Sequence, residues 1–238
     1  MSDAIFAIIS QGAKDLNIEL PPGTEAAFRT YYDFLERRGQ IVNLTAISGD
    51  REVARLHFLD SLALLNTATF RDAKVIDIGS GAGLPGVPLK IAEPSIDLTL
   101  LDSTGKRVTF LSELCDEIGI KASCIKARAE VAAHDPEMRE QYDIAVSRAV
   151  ARLNILCELC LPYIQIGGLL LAMKTVDSTD EVEEAQGALI LLGAEVQGHF
   201  DYEIPGTGIT HRAILIHKIS KTPDKYPRRF ARIQNSPL

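Results

Sequence analysis

No run of eighteen apolar residues occurs in this 238-residue chain, so no transmembrane helix is expected. A basic leader is missing as well: "MSDAIFAIISQGAKDLNIEL" places Asp3 where a signal peptide needs cations. Cysteine is scarce, at four, and without a secretory signal that number fits a reduced, cytoplasmic protein. Positive charge is in deficit too. The formal net charge of -7 argues against a protein that coats nucleic acid by charge alone. Internal repeats and low-complexity segments are lacking. Apolar residues, in contrast, make up 46% of the chain. That is enough for a sizeable core in one large domain, or in a core domain with an extension.

The cations that exist are unevenly placed. From His211 to Leu238, the residues Arg212, Lys218, Lys221, Lys225, Arg228, Arg229 and Arg232 stand against one acid, Asp224. An acidic body with a basic end can steer one face toward a polyanion; a solvated tail is the plainer alternative.

Residues 1–70 read as a helical N-terminal extension. Phe28, Tyr31, Tyr32 and Leu35 recur at helical spacing, and Gly39 is the expected stop. A second stripe runs through Val53, Leu56, Leu59 or Asp60, Ala63 and Leu64, with Asp50 as the expected N-cap. From Lys74 the rhythm changes. Short apolar runs ("KVIDI", "DLTLL", "ASCIK", "YDIAVS", "GGLLLAMK") alternate with helical segments near 84–92, 104–118, 152–161 and 178–192. Such alternation predicts an α/β fold with a mostly parallel sheet covered on both faces. Two last strands, "AEVQGHFDYEI" and "HRAILIHKIS", predict an antiparallel hairpin that closes the sheet. Residues 71–220 are then the core and 221–238 a basic C-terminal tail, the whole forming one compact unit.

The stretch "VIDIGSGAGLPGVPLK" puts glycines between a strand and a helix, where backbone can approach a ligand at the strand ends. Its spacing is not that of the dinucleotide fingerprint, since Gly79-x-Gly81-x-x-Leu84 lacks the last glycine. Asp77 stands inside the strand, where it can fix the loop backbone and meet a cationic ligand such as a sulfonium. Asp102 ends the next strand, at the position where an acid takes ribose hydroxyls; a strand-end cap is the alternative. Together with Gly79, Gly81 and Gly83, these acids favour S-adenosylmethionine over NAD as the ligand.

The same stretch, extended to "VIDIGSGAGLPGVPLKIAEPSIDLTLLDSTGKRVTFLSEL", resembles the bacterial ribosomal RNA small-subunit methyltransferase G family, also called glucose-inhibited division protein B. Further likeness lies in "NLTAI", "HFLDSL", "ARAE", "SRAVARL", "LAMK", "HRAILIHK" and "YPRR". The resemblance implies a class I, Rossmann-like methyltransferase with a seven-stranded sheet. It also implies methylation at N7 of a guanine in the 530 loop of 16S ribosomal RNA, within the small subunit. Carried over, Gly79 and Leu84 would line the donor site, Asp102 and Ser103 would meet the ribose, and Ala129 and Glu130 would border the adenine. Arg148 would border the donor and the target base. The tail, "YPRRFARIQNSPL", departs from the family's usual ending.

The chemistry of the remaining residues agrees. There is no Asn/Asp-Pro-Pro-aromatic loop after the fourth strand, as amino-group methylation of adenine commonly uses, and no cysteine beside a loop proline for attack on a pyrimidine. Guanine N7 has a lone pair and no proton, so it needs positioning rather than a general base. Arg148 is read as the orienting group, with a structural salt bridge as its competing role. Lys174, Arg152, Arg228 and Arg229 are the expected RNA contacts. His57, Asp60 and Asn43 are candidates for pinning the extension to the pocket. "CELC", Cys157 to Cys160, is read as packing rather than metal binding. The expected protein is a cytoplasmic monomer without a membrane partner. An NAD-dependent oxidoreductase, a methyltransferase of another RNA and a ribosome-assembly RNA-binding factor are the competing readings.

Overall fold

The computed structural model describes residues 2–42, 47–148 and 150–238. Two helices, α1 (Ser2–Asp15) and α2 (Thr24–Val42), come first. Gly39 does not stop α2, because one glycine inside a helix costs only about 1 kcal/mol. A third helical run begins as α3 (Asp50–Val53), widens to a π-helical turn over Ala54–Leu59, resumes as α4 (Asp60–Leu62) and tightens to a 3-10 turn over Ala63–Asn66. Its N-cap is Gly49, at φ 92°, rather than Asp50. The Asp50 carboxylate instead accepts a hydrogen bond from the Tyr32 hydroxyl at 2.6 Å. Residues 57 to 64 are all buried, so this run is enclosed on every side and a single apolar stripe could not describe it.

The alternating part follows as β1 (Lys74–Ile78), α5 (Gly86–Ala92), β2 (Asp97–Asp102), α6 (Gly105–Ile118), β3 (Ala122–Lys126), α7 (Ala129–Ala132), β4 (Tyr142–Arg148) and α8 (Leu153–Cys160). Then come β5 (Ile164–Thr175), α9 (Thr179–Glu184), α10 (Gln186–Leu192), β6 (Ala194–Glu203), β7 (Thr210–Lys218) and α11 (Phe230–Asn235). The single helix expected over 178–192 is broken at Ala185 into α9 and α10.

The seven strands lie in the order β3-β2-β1-β4-β5-β7-β6. Strands β1 to β5 pair in parallel, and β7 runs antiparallel between β5 and β6. The fold class expected from the sequence is thus the one observed. Because successive residues of a strand face opposite sides, its apolar doublets feed two cores. Val75, Leu100 and Leu171 pack with Ile9, Phe28, Phe58 and Phe110 on the side of the N-terminal helices. Ile76, Leu101 and Leu170 pack with Leu153, Leu156, Leu189 and Ile233 on the other. Each such aliphatic side chain contributes about 1.5–3 kcal/mol on burial. Among the described residues, no helix is long and apolar enough to cross a membrane.

Strand order reverses between β1 and β4, and at such a point the crevice beyond the strand ends is open to a ligand.

Candidate functional site

The loop after β1 is held from behind by Asp77. One carboxylate oxygen accepts the Gly86 N–H at 2.8 Å, and the other has no hydrogen-bond partner among the described residues. Burial pushes this carboxyl up to about 7, against the opposing pull of the Gly86 N–H and Arg148. A Cβ on Gly86 would come within 2.8 Å of the Asp77 carboxylate, so glycine there permits the contact. Gly83 faces Val87 and the Tyr31 hydroxyl, and Leu84 is buried in the core. Asp77, Gly83 and Leu84 therefore support the loop from beneath; none lines the cavity in front of it.

That cavity measures about 380 Å³, within the usual range for small-molecule sites. Its base is bare backbone at Gly79, where φ is +76° and a Cβ would lie 2.6 Å from Val150 Cγ2. Gly79 and Ser80 donate their N–H groups to the Leu101 carbonyl, and Gly81 donates to Asp102 Oδ2 at 3.1 Å. The end of β2 and the loop after β1 are thereby joined. Asp102 also accepts the Thr104 N–H at 2.8 Å, so its capping role and a ligand role coexist on one carboxylate. Each oxygen keeps lone-pair capacity, and Asp102 and Ser103 both line the cavity. Ala129 and Glu130 line it after β3, with Glu130 paired to Arg128. Bare backbone, a carboxylate able to accept vicinal hydroxyls, and small apolar faces at Ala127, Ala129 and Leu159 suit a nucleoside with a polar extension.

Arg148 ends β4 and also lines the cavity. Its Nη1 donates to the Leu56 carbonyl at 3.0 Å and to Asp60 Oδ2 at 3.2 Å, and its Nη2 lies 3.3 Å from His57 Nδ1. Asp60, 2% exposed, accepts two further bonds at Oδ1, from the Tyr202 hydroxyl and His211 Nδ1, each at 2.8 Å. Leu56 and His57 lie in the π-helical turn, and Asp60 follows it directly at the start of α4. Burial, reinforced by Arg148, pushes His57 down to about 4, whereas the Asp60 hydrogen bond holds His211 above its ordinary value. The polar link between extension and pocket thus exists through His57 and Asp60. Asn43, the third candidate, lies outside the described residues.

Three of the expected RNA contacts are engaged within the chain. Lys174 Nζ donates to the Ala151 carbonyl at 2.6 Å and pairs with Glu181 at 2.7 Å. Arg152 is bound by Glu184 at 2.8 Å and Asp180 at 3.0 Å. Arg228 pairs at 2.7 Å with Glu158, which has no exposed surface. These three cations are neutralised by acids on α8 and α9, so they tie elements together rather than present free charge. Arg229 is exposed. Cys157 and Cys160 are fully buried, and burial pushes the Cys157 thiol up to about 12.

Sequence reasoning missed several cavity residues: Arg107, Arg128, Val150, Leu159 and Phe230. Arg128 stood in the "ARAE" stretch and Val150 in "SRAVARL", but Phe230 falls where the tail departs from the family pattern. Tyr202 and His211 were missed as partners of Asp60, although His211 opens "HRAILIHK".

Known proteins place this arrangement in context. An S-adenosylmethionine-dependent methyltransferase from Aquifex aeolicus superposes with a TM-score of 0.52 at 15% identity, over 68% of this chain and 90% of that one. An M. jannaschii protein solved in complex with AdoMet gives a TM-score of 0.53 at 12% identity, over 67% and 75%. These likenesses concern the fold. Sequence goes further. The ribosomal RNA small subunit methyltransferase G of Alkaliphilus oremlandii is 42% identical over 233 residues, 97% of this chain and 98% of that protein. Its counterpart from a Thermoanaerobacter species is 41% identical over 240 aligned positions, 100% of this chain and 100% of that protein. The family model described as rRNA small subunit methyltransferase G (GidB) matches residues 24–203, three-quarters of the chain and all seven strands but the last. On that match and those identities, the chain belongs to the rRNA small subunit methyltransferase G family.

Proposed function

We propose that this protein transfers a methyl group from S-adenosylmethionine to N7 of a guanine in the 530 loop of 16S ribosomal RNA, in the small ribosomal subunit. Family membership supports the substrate class. The observation that carries the acceptor atom is the protonation chemistry around the cavity. Its lining acids, Asp102 and Glu130, are both engaged by donors, Asp77 is sealed behind the loop, and His57 is depressed to about 4 and lies outside the lining. Among the described residues, no lining group is poised to remove a proton, and guanine N7 has none to remove.

Bound S-adenosylmethionine supplies an electrophilic methyl on a sulfonium. The chain's residues then have four tasks. Gly79 gives the ligand access to bare backbone, and Asp102 with Ser103 accepts and donates at the ribose. Ala129 and Glu130 border the base. Arg148, anchored by Asp60, orients the target guanine through O6, its ring face or a phosphate, since donation to N7 would block the nucleophile. The acidic body and the internally neutralised cations further support an assembled subunit as substrate, recognised by shape more than by charge.

The test uses radiolabelled S-adenosylmethionine and small subunits from a strain lacking this gene, followed by identification of the labelled nucleoside. Label in 7-methylguanosine is expected, with naked transcript a much poorer acceptor. Label in another nucleoside would refute the acceptor atom, and equal turnover on transcript and subunit would refute the recognition argument.

A further inference from the structure

One wall of the cavity comes from the far end of the chain. Phe230, the first residue of α11, lines it together with Ala127, Arg128 and Ala129. The approach to this position is anchored at several independent points. The Glu158 carboxylate takes both the Arg228 guanidinium and the Arg228 N–H, the latter at 2.8 Å. Arg139 donates to the carbonyls of Thr222 at 2.8 Å and Tyr226 at 2.9 Å. His134 Nε2 lies 2.9 Å from the Pro227 carbonyl. Lys218, with no exposed surface, donates to the Leu161 and Leu192 carbonyls and the Thr222 hydroxyl. Beyond the ring, Ile233 is fully buried.

This anchoring delivers an aromatic ring that is itself only half-buried. The Arg128 guanidinium lies 4.7 Å from the ring centroid, a cation–π distance, and Arg128 is tied in turn to Glu130. A fixed ring beside alanine and leucine side chains makes a flat apolar slot, the form that binds a nucleobase by stacking.

We propose that Phe230, backed by Arg128, is the surface against which the adenine of the methyl donor stacks. The proposal rests on reading the cavity as the donor site. Topology selects adenine over the target base. Arg128, which covers the ring, follows β3, and β2 and β1 separate β3 from β4, whose end carries Arg148. The C-terminal segment is thus a positioning part of the donor site rather than a solvated tail.

The chain contains no tryptophan, so Phe230→Trp introduces a single fluorescent reporter at the slot. Calorimetric titration with S-adenosylhomocysteine is to be run on the unaltered protein, Phe230→Ala and Phe230→Trp, with ligand-free melting curves as folding controls. Loss of a stacking ring should weaken binding by about tenfold in Phe230→Ala with little change in melting temperature. Phe230→Trp should keep its affinity, and its emission should be quenched as ligand is added. The proposal is overturned if calorimetry shows binding while Phe230→Ala stays within about twofold of the unaltered protein or Trp emission ignores the ligand. Quenching that requires ribosomal RNA would assign the ring to the target base and overturn it as well. Failure of the unaltered protein to bind would overturn the donor-site reading itself, and this proposal with it.

Discussion

Replacing Asp60 with asparagine tests the polar junction between the helical extension and the pocket. The carboxylate is 2% exposed and accepts from three donors: Tyr202, His211 and Arg148. Asparagine can keep its oxygen toward Tyr202 and His211, but its amide nitrogen then meets Arg148 Nη1, donor against donor, across 3.2 Å. A hydrogen bond to a charged group contributes about 1.5–3 kcal/mol. Stranding one partner of a fully buried ion pair costs about 3–5 kcal/mol. The Arg148 side chain remains 19% exposed and keeps the Leu56 carbonyl, so the lower end, about 3 kcal/mol, is the expected loss. For a chain of this size that is a fall in melting temperature of roughly 6–12 °C.

The loss should also depend on pH. Asp60 raises the His211 pKa, so the stabilisation from that contact is fully present below the unfolded value of about 6.5 and fades as pH rises through the folded one. Asp60→Asn should therefore be more damaging at pH 6 than at pH 9. Urea unfolding followed by circular dichroism measures both effects, and Tyr202→Phe, expected to cost about 1 kcal/mol, calibrates the single hydrogen bond. Combining Asp60→Asn with Arg148→Met should recover part of the loss. A cost below about 1 kcal/mol, or strict additivity of the pair, would refute the argument that Asp60 neutralises a partly buried guanidinium.

Other substitutions probe separate parts of the site. Gly79→Ala forces a Cβ to 2.6 Å from Val150 at a φ of +76°, a strain of about 1–2 kcal/mol, and should weaken S-adenosylhomocysteine binding by about tenfold in calorimetry. Asp77 has its carboxyl raised to about 7, so its contribution to stability is present below the unfolded value near 3.8 and is lost as pH rises through 7. Asp77→Asn should flatten the stability profile over that window, removing most of a decline of about 2.5 kcal/mol between urea unfolding at pH 5 and at pH 8. Arg228→Ala strands the fully buried Glu158 and should cost about 3 kcal/mol, with faster proteolysis of the tail. A role confined to RNA contact would instead leave the melting temperature unchanged.

The periodicity of "KVIDI", "DLTLL" and "YDIAVS" made the strands legible, since apolar doublets flanked by glycine and polar residues leave few alternatives. The glycine loop and the acid ending β2 were legible for the same reason: their spacing follows from local chain geometry. The partners of Lys174, Arg152 and Arg228 were not. Glu181, Glu184 and Glu158 look like ordinary helix-surface acids, and only the folding that brings α9 to Arg152 and Lys174, and the C-terminal segment to α8, turns them into counter-ions. The π-helical turn was invisible too. A local widening of the helix leaves no compositional mark, yet Leu56 and His57 lie in it and Asp60 directly follows it, all three against Arg148.

A consequence for the integrity of the pocket follows from the position of Phe230. The floor of the cavity is set by residue 79 and one of its walls by residue 230. A floor and a wall so far apart along the chain meet only through long-range closure, whose entropy the bonds of Glu158, Arg139 and Lys218 help to offset. Fraying of the C-terminal segment would therefore open the cavity on one side while the sheet beneath it stays paired.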